Sequence, residues 1–163
     1  MPSGVDSLSA ISCASITACW ATGASTAFGY IVASPPPTPQ GYWILSSNGS
    51  VFGFNAPYYG SAFGLLGTSP AVSMVASPNG KGYWILSSNG SVFGFGNVVY
   101  YGSPIDIGVT AFDMDSIASS PDGNGYWILA ADGDVWGFGD SQYLGDLSNA
   151  HLPFSVVDIV SDN

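Results

Sequence analysis

The sequence contains no glutamate and no arginine, and Lys81 is its only lysine. All eleven acidic residues are aspartates, and ten of them lie at or after Asp106, so the net charge of −10 belongs to the C-terminal part of the chain. Nucleic-acid binding needs lysine and arginine to neutralise phosphates, and the same negative field repels anionic lipid. The apolar runs are also far shorter than the roughly 20 residues that span a bilayer. We therefore predict no nucleic-acid partner and no membrane insertion.

The scarcity of charged helix formers also bears on the fold. Valine and aromatic residues, which favour strands, are abundant, together with glycine and serine, which favour turns. A chain of 163 residues has the length of one ordinary domain. The composition predicts a single all-β domain over residues 1–163.

Histidine is almost as scarce, since His151 in a predicted surface loop is the only one. A catalytic triad needs such a base, and without glutamate a hydrolase would depend on a pair of aspartates. Asp113 and Asp115 alternate along a predicted strand and are typical of a solvated face, whereas Asp132 and Asp134 flank a turn glycine. We predict that the chain is not an enzyme.

The metal-site hypothesis concerns Asp132, Asp134 and Asp140. They supply hard oxygen ligands near a tight turn, which suits calcium, but they lack the spaced ligands and the final bidentate acid of an EF-hand loop. The alternative is that Asp132 is simply the aspartate of an Asp-Gly turn. We expect no cofactor, with calcium as the alternative.

Cys13 and Cys19 are the only cysteines. Their spacing suits the mouth of a hairpin and matches no zinc motif. We predict a disulfide, and hence an extracellular or cell-surface location, with two buried free thiols as the alternative. The first four residues have no basic start and no apolar core, so we expect a mature region or an excised piece.

The chain is organised around one repeated segment. Residues 41–54, GYWILSSNGSVFGF, recur unchanged at 82–95 and return with five changes as GYWILAADGDVWGF at 125–138. Repeats with periods of 20 to 50 residues form units that stack on their neighbours. Three tryptophans are expected to hold equivalent buried positions: Trp43, Trp84 and Trp127.

Each repeat predicts a β-hairpin. An Asn-Gly or Asp-Gly pair lies between two apolar runs, which indicates a two-residue turn. That turn places Leu45 opposite Phe52 and Trp43 opposite Phe54, and it leaves both faces of the hairpin apolar. Each unit must therefore be covered by neighbouring units. The three turns are Asn48-Gly49, Asn89-Gly90 and Asp132-Gly133.

The predicted architecture is a β-propeller-type repeat with about four blade-like units of four short antiparallel strands. The units are residues 7–40, which look like a degenerate copy, then 41–71, 72–115 and 116–154. A terminal strand over residues 155–163 closes the ring by strand exchange within or between chains. The strands predicted for the second full unit span residues 72–76, 83–87, 92–95 and 98–101.

The repeat GYW-x₄-[DN]G-x-V-[FW]-x-F, followed by a Tyr-Gly-Ser close, resembles one found in arrays in secreted actinobacterial proteins, often beside cell-wall hydrolase domains. The resemblance covers about residues 41–160, and the segment around Cys13 and Cys19 is similar to the Ser-Cys…Cys repeats of secreted propeller-like proteins. It implies an extracellular propeller-type module, and it brings no catalytic residue.

Aromatic residues are the candidate binding groups: Tyr58, Tyr59, Tyr100, Tyr101 and Tyr143. Adjacent tyrosines of a strand point to opposite sides, so one of each pair is expected to face outward, where it suits sugar stacking or a protein interface. The alternative is that both fill the spaces between blades.

Two functions are consistent with these residues. The first is a non-enzymatic extracellular module that binds a cell-wall or surface glycan or a protein partner. The second is a self-assembling structural subunit, either a closed oligomer or an extracellular filament, completed by strand exchange between chains.

Overall fold

The computed structural model describes residues 10–15, 18–22, 30–31, 41–110 and 113–162. The chain forms two compact units, residues 1–40 and 41–163. The described residues form eleven strands, all antiparallel to their partners, and one short 3₁₀ helix at Pro104–Ile107. The predicted all-β fold is confirmed.

The N-terminal unit contains a three-stranded sheet in the order β1-β2-β3. Its strands are β1 (Ala10–Ser15), β2 (Ala18–Thr22) and β3 (Tyr30–Ile31). The order matches that of the later three-stranded sheets. The ladder makes Cys13 the direct partner of Cys19.

The disulfide predicted at this position has a simple test. Directly opposed residues of an antiparallel pair have Cα atoms about 4.5–5.5 Å apart, within the range that a disulfide spans. We expect no titratable thiol in the native or denatured chain before reduction, and a loss of about 2 kcal/mol of unfolding free energy in Cys13→Ser, because so short a loop is closed. Two thiols per denatured, unreduced chain would contradict the bond.

The C-terminal unit contains three sheets, one for each copy of the repeat. Sheet 1 pairs β4 (Tyr42–Leu45) with β5 (Val51–Phe54). Sheet 2 has the order β6-β7-β8, with β6 at Ala71–Ala76, β7 at Gly82–Ser87 and β8 at Val92–Gly96. Sheet 3 combines β9 (Met114–Ser119), β10 (Gly125–Ala130) and β11 (Val135–Gly139) in the equivalent order. Unit 1, unit 2 and unit 3 are the repeats that contain sheet 1, sheet 2 and sheet 3, and all three lie within the C-terminal compact unit.

The hairpin register differs from the predicted one by one residue. Ser46 N–H donates to Ser50 O at 2.8 Å and Gly49 N–H to Ser46 O at 2.8 Å, so the loop spans residues 46–50 instead of two residues. Gly49 has φ +85°, which completes a bulged turn. The observed partners are Tyr42 with Phe54, Trp43 with Gly53, Ile44 with Phe52 and Leu45 with Val51.

Four strands per unit is a second expectation that the structure corrects, since units 2 and 3 have three strands and unit 1 has two among the described residues. Residues 98–101 form no strand. The Trp84 indole N–H donates to Val99 O at 2.9 Å, so a side chain anchors this segment instead of a neighbouring strand. The same bond recurs at the other repeats, from Trp43 to Pro57 O and from Trp127 to Gln142 O, both at 2.8 Å.

The C-terminal segment, residues 156–161, also forms no strand. Val156 N–H nevertheless donates to Ala131 O at 3.1 Å, a bond with equivalents at the start of two strands. These are Ala71 N–H to Ser47 O, which opens β6, and Met114 N–H to Ser88 O, which opens β9. The segment therefore begins where a first strand belongs, but among the described residues no second strand pairs with it.

The first strands of consecutive units lie side by side. Ile117 N–H of β9 donates to Ser73 Oγ of β6 at 3.3 Å, and Ser116 Oγ–H donates to Asp158 Oδ1 of the C-terminal segment at 2.5 Å. These three segments line an open groove of about 650 Å³. The sheets close no ring within residues 41–110 and 113–162.

Candidate functional site

Two apolar clusters join the units, and each is made of opposite faces of consecutive hairpins. Each hairpin has two faces. The trailing face carries the tryptophan and leucine of the first hairpin strand and the valine that begins the return strand, and it packs on the following unit. The leading face carries the tyrosine and isoleucine of GYWI with the two aromatic residues of the return strand, and it packs on the preceding unit. In unit 2 the trailing face is Trp84, Leu86 and Val92, and the leading face is Tyr83, Ile85, Phe93 and Phe95.

Tyr126 anchors the interface between units 2 and 3, where it is 0% exposed. Its hydroxyl donates to Gly102 O at 2.6 Å and accepts from Tyr101 N–H at 3.2 Å. Its ring centroid lies 5.6 Å from that of Trp84 and 5.8 Å from that of Tyr101. Burial raises the pKa of Tyr126, because the tyrosinate is disfavoured away from water, so the hydroxyl keeps its proton to donate.

Tyr83 repeats this arrangement between units 1 and 2, again at 0% exposure. Its hydroxyl donates to Gly60 O at 2.6 Å and accepts from Tyr59 N–H at 3.3 Å. The ring lies 5.5 Å from Trp43 and 5.8 Å from Tyr59. The same interface thus occurs twice, built from equivalent residues.

The tyrosine pairs Tyr58-Tyr59 and Tyr100-Tyr101 have one member inside and one outside. Tyr59 and Tyr101 are half-buried between units, and their hydroxyls donate to Gly80 O at 2.9 Å and Gly123 O at 3.2 Å of the following unit. Tyr58 and Tyr100 are exposed, as is Tyr143 at the equivalent position of unit 3. Of the five predicted binding residues, three therefore present their rings to solvent.

Aspartates hold two of the outward tyrosines. The Tyr100 hydroxyl donates to the Asp106 carboxylate, to which Ser103 Oγ–H also donates at 2.9 Å. The Tyr143 hydroxyl donates to Asp146 Oδ2 at 2.7 Å. These donated hydrogen bonds lower the pKa of both carboxyl groups. The ring face of each tyrosine is held in place beside a negative charge.

The leading face of unit 1 is exposed, although its residues match those buried in units 2 and 3. Tyr42 is 58% exposed, whereas its equivalents Tyr83 and Tyr126 are 0% exposed. The Tyr42 ring stacks on Phe54 at 5.1 Å within the same sheet. Four large apolar side chains are exposed on this face: Tyr42, Ile44, Phe52 and Phe54.

The trailing face of unit 3 is only partly covered. Leu144 replaces the inner tyrosine of the other units and is 83% exposed. A Cβ at Gly102 would lie 3.1 Å from the Phe138 ring of the next unit, but a Cβ at the equivalent Gly145 would meet no atom of the described residues within 4 Å. An open groove of about 410 Å³ lies on this face. Its apolar lining includes Leu129, Val135, Leu144, Val156 and Ile159.

The structure does not gather the predicted metal ligands. Asp132 Oδ1 accepts from Asp134 N–H at 3.1 Å, which is the bond of an Asp-Gly turn. Asp140 lies elsewhere, near Asp122, and burial followed by that negative neighbour raises the pKa of Asp140. Among the residues that the structure describes, no group of three or more His, Cys, Asp or Glu side chains could hold a metal ion.

The side chains considered for catalysis are dispersed. His151 is exposed on a loop, with Nδ1 2.9 Å from Asn149 O. Asp115 neighbours Asp113, and burial followed by this negative charge raises the pKa of Asp115. Asp134 lies in the turn just described. The structure shows no hydrogen bond between the His151 imidazole and any of these carboxylates among the described residues.

No family model matches this sequence, and no curated protein or solved structure matches it significantly. Within the described ranges, no helix is long and apolar enough to cross a membrane. The features that point to function are the exposed ends of units 1 and 3 and the outward tyrosines.

Proposed function

We propose that this chain is a non-enzymatic structural module that joins copies of itself end to end. The leading face of unit 1 in one chain packs on the trailing face of unit 3 in the next. One observation carries the proposal: the interface between units occurs twice inside the chain, and its two halves occur once more, the leading half exposed and the trailing half only partly covered. Exposed apolar patches of this kind mark interaction surfaces.

The two halves match in detail. Residues 41–54 are identical to residues 82–95, which already pack on a trailing face within this chain. In the assembled state Tyr42 occupies the place beside Gly145 that Tyr126 occupies beside Gly102. Phe54 then covers Gly145 as Phe138 covers Gly102. The contact is heterologous, so it produces a ring if the rotation closes and a filament if it does not.

The finer architecture and location belong to the same proposal. Adjacent first strands in consecutive units support a propeller-type assembly, in which each unit is a blade and the shared groove runs along the inner strands. The resemblance to secreted actinobacterial repeats and the opposed cysteines support an extracellular module.

The association is tested with one surface variant at each end. Wild-type protein is expected to show a mass above that of one chain in analytical ultracentrifugation, rising with concentration. Phe54→Asp and Leu144→Asp should each abolish self-association, because a charge enters an apolar contact. An equimolar mixture of the two variants should form dimers and nothing larger, since each variant retains one functional end.

Val99→Asp is the matched control, because Val99 is an exposed apolar residue of unit 2 and adds the same charge away from both ends. It should associate like the wild type. A wild-type chain that stays monomeric at high concentration, or a mixture of the two variants that stays monomeric, would contradict end-to-end joining.

A second candidate function is sugar binding by the outward tyrosines. Its support is that Tyr58, Tyr100 and Tyr143 recur at the same place in three units, and that Tyr100 and Tyr143 are oriented by aspartates. An exposed ring beside a carboxylate offers a stacking surface and a hydrogen-bond acceptor to a sugar.

This binding is tested by co-sedimentation with insoluble peptidoglycan and with chitin. Tyr58→Ala, Tyr100→Ala and Tyr143→Ala should reduce retention while changing the unfolding free energy by no more than about 0.5 kcal/mol. Tyr101→Ala is the matched interior change, and it should cost about 2–3 kcal/mol because that ring is half-buried between units. Unchanged retention in the three outward variants would remove the candidate.

A further inference from the structure

We propose that residues 156–160 of one chain add as a first strand to the free edge of β4 in a second copy. The two-stranded sheet 1 then becomes three-stranded like sheets 2 and 3. This inference rests on the proposed end-to-end contact and specifies the strand pairing within it.

The acceptor is the edge of β4 that faces away from β5. In sheets 2 and 3 the equivalent strands, β7 and β10, pair with a first strand on this side, which is β6 or β9. Among the described residues β4 pairs with β5 only, and the nearest preceding strand, β3, pairs with β2 in the N-terminal unit. An edge with unpaired backbone groups and exposed apolar side chains is a template for another strand.

The donor is placed and patterned as a first strand. Residues 156–160, VVDIV, follow the pattern of β6, AVSMVA, and β9, MDSIAS. Ser116 of β9 bonds to Asp158 of the segment, and the equivalent Ser73 of β6 bonds to Ile117 of β9, so the same serine position joins each first strand to the next. Val160 is 81% exposed, whereas its equivalent Ala118 in β9 is buried. The segment is thus anchored on unit 3 and presents apolar side chains outward.

The partner is a second copy because of where the two elements lie in the order of the units. The C-terminal segment docks on β9 of unit 3, on the side away from unit 2, and β4 belongs to unit 1 on the other side of unit 2. A hairpin that fits the segment must carry the sequence of β7 or β10. The β4-β5 hairpin has the sequence of β7-β8 without a change.

The existing ladders fix the register of the new one. Ile117 pairs with Ile128 and Ala118 with Trp127 in sheet 3. By equivalence, Ile159 pairs with Ile44 of the second copy and Val160 pairs with Trp43 of the second copy. A shift of one residue would turn every side chain to the other face, so the register is specific.

Disulfide trapping between separately prepared full-length variants tests this register. Ile159→Cys protein is mixed with Ile44→Cys protein and oxidised mildly, so that a covalent dimer reports pairing between copies. Directly opposed residues lie within disulfide range, and adjacent residues point to opposite faces. The pair is expected to cross-link, and Val160→Cys mixed with Ile44→Cys is expected to lose that cross-link. Wild-type protein and each single variant, oxidised alone, control for links through Cys13 or Cys19.

Val160→Cys with Trp43→Cys supplies a second matched pair should Ile44→Cys weaken association. Association by ultracentrifugation without a cross-link in either matched pair, or with equal cross-linking in the shifted pair, would overturn strand addition while leaving end-to-end packing intact. A wild-type chain that is monomeric throughout would overturn the packing proposal and this inference together.

Discussion

Replacing Tyr126 by alanine is expected to lower the free energy of unfolding by about 3–5 kcal/mol, a large part of the roughly 5–15 kcal/mol that stabilises a typical domain. The ring is fully buried between units 2 and 3, and its hydroxyl satisfies two backbone groups, at Gly102 and Tyr101. Its loss leaves a cavity beside Trp84 and uncovers those groups. Urea denaturation followed by tryptophan fluorescence measures the change.

Two control variants separate the contributions to the free energy of unfolding. The first separates the effect of the ring from that of the hydroxyl, and the second separates the effect of the buried position from that of the residue type. Tyr126→Phe retains the packing and should cost about 1–3 kcal/mol, because a buried amide and a carbonyl lose their partner. Tyr42→Ala changes the equivalent tyrosine of unit 1, but at an exposed site, and should cost no more than about 0.5 kcal/mol in dilute protein. Equal losses in Tyr42→Ala and Tyr126→Ala would show that the interface between units is not the source of stability.

The contrast between Tyr42 and Tyr126 shows why the sequence predicts the stacking of units. With either register, both faces of the hairpin carry large apolar side chains, so the hairpin must be covered on two sides. The structure covers both faces of unit 2 in this way, with clusters that include Tyr83 on one side and Trp84 on the other. Periodicity and face composition therefore predicted that the units pack face to face, and the amino-acid composition predicted the all-β class.

The details of each hairpin depended on loop geometry that the sequence leaves open. An Asn-Gly pair suits a two-residue turn, but it also suits a turn centred one residue earlier with glycine at positive φ. The structure adopts the longer loop, closed by Ser46 and Ser50 and by the Asn48 side chain, which accepts from Ser50 N–H at 3.0 Å. The pairing shifts by one, and Gly53 instead of Phe54 faces Trp43.

The same limit applies to the strands at the ends of each unit. Apolar alternation predicts that residues 98–101 and 156–161 are strands, but a strand also needs a partner with free backbone groups. The first segment is held by the Trp84 indole, and the second has no strand paired with it in the part of the chain that the structure describes. Whether such a partner strand exists depends on how the units assemble, and the periodicity of the sequence alone does not determine that.

The candidate site was predicted in part. The alternation of Tyr58 with Tyr59 predicted one inward and one outward ring, and the structure places Tyr59 between units and Tyr58 outside. The anchoring role of Tyr83 and Tyr126 was missed. The sequence nevertheless contains the signal for this role. A tyrosine precedes the tryptophan in all three repeats, and a Tyr-Gly or Leu-Gly pair follows each hairpin. These two features form the two sides of the contact between units.

The tryptophans of the three repeats are expected to differ in their contribution to stability, although the sequence predicts equivalent buried positions. Trp84 is fully buried between units, whereas Trp43 and Trp127 are only half-buried. Trp84→Ala should cost about 3–5 kcal/mol, and Trp127→Ala should cost about 1–2 kcal/mol in dilute protein, because the cost of truncation follows the buried volume that is lost. Urea unfolding of the variants measures these values.

The same series reports on the proposed assembly, because Trp127 lies on the trailing face that a second copy would cover. If copies join end to end, the cost of Trp127→Ala should rise with protein concentration, since binding to the folded state adds stability that the variant loses. The cost of Trp84→Ala should not change with concentration, because that side chain is already buried within the chain. Equal costs for Trp84→Ala and Trp127→Ala at low concentration would mean that the trailing face of unit 3 is as well covered as that of unit 2. A Trp127→Ala cost independent of concentration would argue against a partner on the trailing face of unit 3.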